Sequence, residues 1–177
     1  MLRLFVGIEL PAALRLRLSL LCTGLPGARW VDPGNLHLTL RFIGEVDEGM
    51  ASDIDAALAR IRAPRFEVTL AGAGSFGGER PRLIWIGIED SKPLFELQER
   101  VEAALRRAGV PPDTRRYSPH VTLARLKQPD LARVQGFLAA NALFRAPPVP
   151  VERFSLIASY PTKSGAIYED QADYPLR

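Results

Sequence analysis

The chain has 177 residues, 47% hydrophobic and 24% charged, with a formal net charge of +3. This is the composition of an ordinary folded protein, and it excludes the charge-rich, apolar-poor signature of disorder. No run approaches the ~18 apolar residues of a membrane span, and a lone cysteine, Cys22, excludes an internal disulfide or a cysteine-based metal cluster.

Leu2 to Ile8 predicts a strand. Arg3 and Glu9 break up this opening and no small-residue cleavage site follows, so it does not read as a signal peptide. Pro11 opens a helix whose apolar positions Leu14, Leu18 and Leu21 stop at Gly24-Leu25-Pro26-Gly27, with Cys22 expected to pack within that helix. After Trp30 and the turn Asp32-Pro33-Gly34, His37 to Ile43 reads as a strand that Gly44 breaks, and Met50, Ile54, Leu58 and Ile61 mark a second helix. Phe66 to Leu70 and Leu83 to Ile88 predict two strands joined by Gly72 to Gly78, a glycine-rich stretch expected to be a flexible hairpin connection, since no helix start follows it. Leu94, Leu97, Val101, Leu105 and Ala108 share one face of a third helix that Gly109 caps. His120 to Leu126 is a strand, Leu131 to Ala140 a helix, and Val151 to Ser159 with Ala166 to Tyr168 the closing strands. Interleaved helices and strands give an α+β or α/β chain of two or three layers. Strand, helix, then histidine-bearing strand occurs once in each half, which suggests approximate internal duplication.

The only two histidines stand in His37-Leu38-Thr39-Leu40 and His120-Val121-Thr122-Leu123, both of the form His, apolar, Thr, apolar. Composition alone yields that pattern after a given histidine about one time in a hundred, and twice about one time in ten thousand. On a strand, His and Thr project to one face and the apolar pair to the other. Side by side, two such strands bring two imidazoles and two hydroxyls to one cleft. A single histidine of this kind is more simply a half-buried strand residue; duplication turns the reading toward an acid–base pair. Two histidines with no cysteine or adjacent carboxylate are too few for catalytic zinc, which takes three protein ligands, so a metal would need Asp or Glu from elsewhere. Two imidazoles suit attack on a phosphodiester, one taking a proton from the attacking oxygen and one giving a proton to the leaving oxygen, while hydroxyls hold the non-bridging oxygens.

At these residues the sequence resembles the RNA 2′,3′-cyclic phosphodiesterases, historically named 2′-5′ RNA ligases, of the two-histidine phosphoesterase superfamily. The resemblance spans nearly the whole chain: Arg3-Leu4-Phe5 and Leu10-Pro11, Trp30-Val31 leading to HLTLRFIG, Pro81 to Trp85, SPHVTLAR from Ser118 to Arg125, and Ser159 with Gly165-Ala166-Ile167-Tyr168. It implies an α+β, bilobal fold: two pseudo-symmetric, intertwined lobes forming one domain over 1–177, with antiparallel sheets lining a central cleft and helices outside. It implies metal-free hydrolysis of RNA 2′,3′-cyclic phosphate ends to 2′-phosphates, without a cofactor, and weak reversible 2′-5′ joining of RNA ends. His37 would be the proton donor and His120 the acceptor, and Thr39 and Thr122 would bind phosphate. Phe42 and Arg125 would flank the nucleobase, and Tyr168 also matches a family position, as do Trp30 and Phe5.

Strict alternation, however, puts Phe42 and Arg125 on the face opposite their histidines, so either the strands twist or end first, or Phe42 is core. Two alternatives stand beside the hydrolase: a nucleotide- or RNA-binding module without turnover, and a related phosphodiesterase acting on another substrate such as 2′-5′ oligoadenylate. A cytoplasmic monomer acting on RNA ends, with no membrane association, is the expected setting.

Overall fold

The apolar run after Met1 forms β1 (Leu2–Glu9), and Pro11 then caps α1 (Ala12–Ser19). In the computed structural model, which describes residues 1–177, the chain continues through β2 (Ala28–Trp30), a 3-10 turn (Pro33–Asn35), β3 (His37–Val46), α2 (Glu48–Ala59), β4 (Phe66–Val68), β5 (Leu70–Phe76) and β6 (Leu83–Ile88). It ends with α3 (Lys92–Arg107), β7 (His120–Leu126), α4 (Leu131–Ala140), β8 (Val149–Val151), β9 (Arg153–Thr162) and β10 (Gly165–Pro175). Side-chain caps start three helices: Asp47 accepts from the Met50 amide at 2.8 Å, Ser91 from Leu94 at 3.3 Å and Asp130 from Ala132 at 3.0 Å. Gly109, at φ 99°, closes α3 as its amide bonds the Arg106 carbonyl at 3.0 Å and that of Val110 bonds Leu105 at 2.9 Å.

Several expected boundaries move. Gly44 does not end β3: at φ 95° it stays paired opposite Leu4, and the strand runs on to Val46. Most of the glycine-rich stretch is not a loop, because β5 pairs with β6 through Phe76. There Gly74 is needed because the Trp85 ring occupies the space a Cβ would fill. Cys22 falls in the turn after α1, its thiol donating to the Leu18 carbonyl at 3.4 Å. Trp30 belongs to a three-residue strand, too short for alternation to show.

Two four-stranded antiparallel sheets, in the orders β10-β9-β1-β3 and β2-β7-β6-β5, make an α+β fold with a small β4-β8 ladder beside them. β1, α1, β3, α2, β4 and β5 correspond in order to β6, α3, β7, α4, β8 and β9. The last strand of each set crosses over: β5 pairs with β6, and β9 pairs with β1. One continuous apolar core takes Leu4 and Leu38 from one sheet and Ile84 and Val121 from the other. No helix is long and apolar enough to cross a membrane.

We propose on this exchange that 1–177 is one domain of two intertwined lobes. Expressed alone, residues 1–82 or 83–177 should give no cooperative thermal transition, since each lacks the strand completing its sheet; a sharp transition from either fragment in circular dichroism contradicts this.

Candidate active site

The apolar members of both motifs lie fully inside: Leu38 and Leu40 on β3, Val121 and Leu123 on β7. Their neighbours His37, Thr39, His120 and Thr122 are half-buried on the other face, as period two requires. Directly beyond the threonines alternation fails in the same way in both strands, and β3 slips again between Phe42 and Gly44. Pairing steps from Gly7↔Thr39 to Val6↔Arg41, leaving Leu40 as an extra residue, and from Trp85↔Thr122 to Ile84↔Ala124, leaving Leu123 extra. These are β-bulges. Leu40 and Arg41 are both buried, as are Leu123 and Ala124, and Phe42 and Arg125 then emerge exposed on the histidine face. The expectation from strict alternation is therefore corrected, and Phe42, 45% exposed under the Arg3 guanidinium at 5.4 Å, is not core.

Each imidazole is fixed in the same way. His37 Nδ1 lies 3.0 Å from the Asn35 carbonyl and His120 Nδ1 2.7 Å from the Ser118 carbonyl, two residues back in each case. A carbonyl only accepts, so Nδ1 carries the proton and Nε2 is left for chemistry. Aromatic rings pack on the imidazoles: Phe5 at 6.1 Å and Tyr168 at 5.6 Å edge-on to His37, Phe76 at 4.9 Å edge-on to His120 and Trp85 tilted at 6.2 Å from it. Trp85 Nε1 is buried without a partner. The Asn35 amide donates to the Ala166 carbonyl at 2.6 Å, tying the turn before His37 to β10.

The two surroundings differ in charge. Burial pushes the His120 imidazole below its ordinary pKa of 6.5, the Ser118 carbonyl opposing, which favours the neutral ring. Gly87 is its register partner on β6. His37 instead stands directly opposite Glu9, and Asp170 is near enough that the imidazole bears on its carboxyl, which burial, Asp173 and Glu9 together raise.

Contacts between β3 and β7 join the halves. Tyr117, three residues before His120, donates its hydroxyl to the Thr39 carbonyl at 2.9 Å; burial pushes its phenol far up, so it remains a donor. Arg41, 7% exposed, binds Glu102 of α3 at 2.7 Å and the carbonyls of Phe42 and Pro111 at 2.6 and 2.7 Å. Burial alone would raise the Glu102 carboxyl, but bonds from Arg41 and the Asp113 amide hold it below the usual range. The structure thus sets all seven predicted residues on the histidine strands or, for Tyr168, against His37. Arg125 and Arg3 also bear on the Tyr168 phenol, whose pKa burial raises. Sequence reading missed Glu9, Asn35, Phe76, Trp85 and Tyr117 as neighbours of the site. Two hollows elsewhere, of about 90 and 410 Å³, bring no acid–base pair together, and no three His, Cys, Asp or Glu side chains gather as a metal site.

A family model of the 2′-5′ RNA ligase superfamily matches residues 13–161, a span that includes both bulged histidine strands. The chain belongs to this superfamily. Within it, the RNA 2′,3′-cyclic phosphodiesterase of Aeropyrum pernix is 38% identical over 158 residues, 88% of this chain and 89% of that protein. Among solved structures, TT0787 of Thermus thermophilus superposes with a TM-score of 0.81 at 30% identity, covering 99% of this chain and 98% of that one. Escherichia coli LigT, crystallised with 3′-AMP, gives 0.79 at 28% identity over the same shares of each chain. The bilobal fold of this superfamily is therefore the fold of this protein.

Two contacts between the halves are testable. Glu102→Ala strands the Arg41 guanidinium and should cost ~3–5 kcal/mol in urea unfolding, against under about 1.5 kcal/mol for Tyr117→Phe. If the Tyr117 hydroxyl positions β3, Tyr117→Phe should lower kcat more than it raises KM; a purely structural role would leave kcat unmoved.

Proposed function

We propose that this protein hydrolyses 2′,3′-cyclic phosphate ends of RNA to 2′-phosphates by metal-free acid–base catalysis. The observation carrying the reading is the pair of bulged strands, each presenting an imidazole with Nδ1 committed to a carbonyl and Nε2 free. In the reaction, His120 Nε2 takes a proton from water as the water oxygen bonds to phosphorus. The bond from phosphorus to O3′ breaks, and protonated His37 delivers its Nε2 proton to O3′. Thr39 and Thr122 donate hydrogen bonds to the non-bridging oxygens, which gain charge as the five-coordinate state forms. The product keeps its phosphate on O2′, and the two rings have exchanged protonation states, which solvent restores. A 5′-hydroxyl in place of water gives a 2′-5′ linkage by the same steps, and the reverse passage regenerates the cyclic phosphate.

The 38% identity to a named cyclic phosphodiesterase supports this reading over a binding module, as do the anchored tautomers, which pure binding does not require. Phe42 and Arg125, brought to the cleft face by the bulges, flank the terminal base, by stacking and by a cation–π contact respectively. Tyr168 packs against His37 from β10, a strand of the same sheet. Both histidines come from one chain, so a monomer completes the site, and a free Cys22 with an RNA substrate fits the cytoplasm.

Alanine at His37 or His120 should lower turnover of an RNA ending in a 2′,3′-cyclic phosphate about 10²- to 10⁴-fold, or ~3 to 5 kcal/mol, with the fold intact by circular dichroism. Full activity in either variant refutes the assignment. Wild-type activity should survive EDTA; loss that added metal restores would transfer the chemistry to an ion. His120 must be neutral to accept a proton, so kcat/KM should rise with pH through a limb centred below 6.5, and His120→Ala should abolish that limb.

A further inference from the structure

Beside the histidines, β2 and β7 pair in a register that sets Arg29 directly opposite Arg125, with Ala28 opposite Leu126 and Trp30 opposite Ala124. The Trp30 ring packs on Phe137 of α4 at 5.8 Å and Ala124 is fully buried, so that layer faces the core. Arg29 and Arg125 therefore share the other face, which the bulge at Leu123 makes the face of His120 and Thr122. Directly opposed residues of an antiparallel pair have Cβ atoms ~5 Å apart, and like charges there repel. Both arginines are exposed, and none of the chain's ion pairs includes either. Arg3 approaches from the opposite sheet, its charge acting with that of Arg125 on the Tyr168 hydroxyl. The protein spends acids on Arg41, Arg106, Arg115, Arg145 and Arg153 and none on this pair.

An uncompensated pair of guanidinium forks on a cleft wall matches a phosphate, which accepts from both and cancels their repulsion. The reacting phosphate is not the one concerned, since Arg125 lies three residues beyond Thr122, ~10 Å along the strand. We propose that Arg29, with the edge of Arg125, binds a phosphate carried on the 5′ oxygen of the terminal nucleoside, so that the enzyme reads one phosphate upstream of the bond it cleaves. This inference rests on the hydrolase reading above and adds a substrate preference to it. It leaves the face of the Arg125 guanidinium for the base and gives Arg29 a role of its own. A phosphate contact fixes register along the strand without reading sequence.

The test compares kcat/KM on three substrates: a nucleoside 2′,3′-cyclic phosphate with a free 5′-hydroxyl, the same compound with a 5′-phosphate, and a dinucleotide ending in a 2′,3′-cyclic phosphate. The wild type should favour the second and third over the first. Arg29→Ala should shrink that ratio on the order of tenfold to a hundredfold, Arg29→Glu should shrink it further, and Arg29→Lys should keep part of it. In Arg29→Ala the salt dependence of KM for the dinucleotide should weaken, since one screened charge contact to phosphate is lost. An effect on the dinucleotide alone assigns the site to a phosphodiester; an effect on both assigns it to any 5′-phosphate. Arg29 variants that keep the wild-type ratio overturn the proposal. Should the wild type turn over none of the three, the hydrolase reading fails. Calorimetry of 2′-nucleotides with and without a 5′-phosphate then decides the subsite: the 5′-phosphate increment must vanish in Arg29→Ala, and its persistence refutes the pair as ligand.

Discussion

A strand that walls a cleft must bury one face and offer the other, and alternation lets it offer only every second residue. β3 and β7 each carry an extra residue just past the threonine, Leu40 and Leu123, and turning it inward reverses the phase of the residues that come next; β3 slips a second time after Phe42, leaving Ile43 extra. His37 and Thr39 before the bulge and Phe42 after it then face the same way, as do His120, Thr122 and Arg125. Without the extra residue the imidazoles and their distal companions would sit on opposite sides of the sheet, and the cleft would end at the threonines. The motif residues and their distal companions share one wall because each strand slips register just past its threonine.

On this repeated frame the chemistry is made unequal by neighbours. Two imidazoles with the same backbone anchor would be interchangeable, whereas hydrolysis needs one donor and one acceptor. Their surroundings differ: Glu9 stands opposite His37 and Gly87 opposite His120, and burial lowers the His120 pKa. The same division appears behind the cleft, where Arg41 is a buried cation locked to Glu102 and its counterpart Ala124 is a small apolar residue. A buried ion pair is a poor source of stability but an exacting source of position. Here it fixes the approach of α3 to β3 and thereby the segment leading to His120.

Much of this was legible in the amino-acid order, because the signals are local. The helices follow from apolar spacing, with Pro11 and Gly109 as end signals, and the doubled motif pointed to the two histidine strands; the caps Asp47, Ser91 and Asp130 went unread. What could not be read is pairing between distant residues. The bulges exist only relative to β1 and β6, so a single strand gave the wrong face for Phe42 and Arg125. β5 looked like a loop because Gly74 serves a tryptophan eleven positions away rather than a turn. Glu9, Phe76 and Tyr117 carry no motif, and only the register shows which imidazole or carbonyl each one meets.

The crossing of β5 and β9 between the sheets also governs the order of assembly. As the polypeptide leaves the ribosome, β1 and β3 are made early, yet β1 keeps a bare edge until residues 153–162 arrive to cover it. Contacts of such long sequence separation make for slow, late closure, and an unpaired apolar strand such as β1 invites wrong partners in the interval. The nascent protein is thus most exposed to aggregation just before its final hairpin is synthesised, and chaperones have most to protect at that stage.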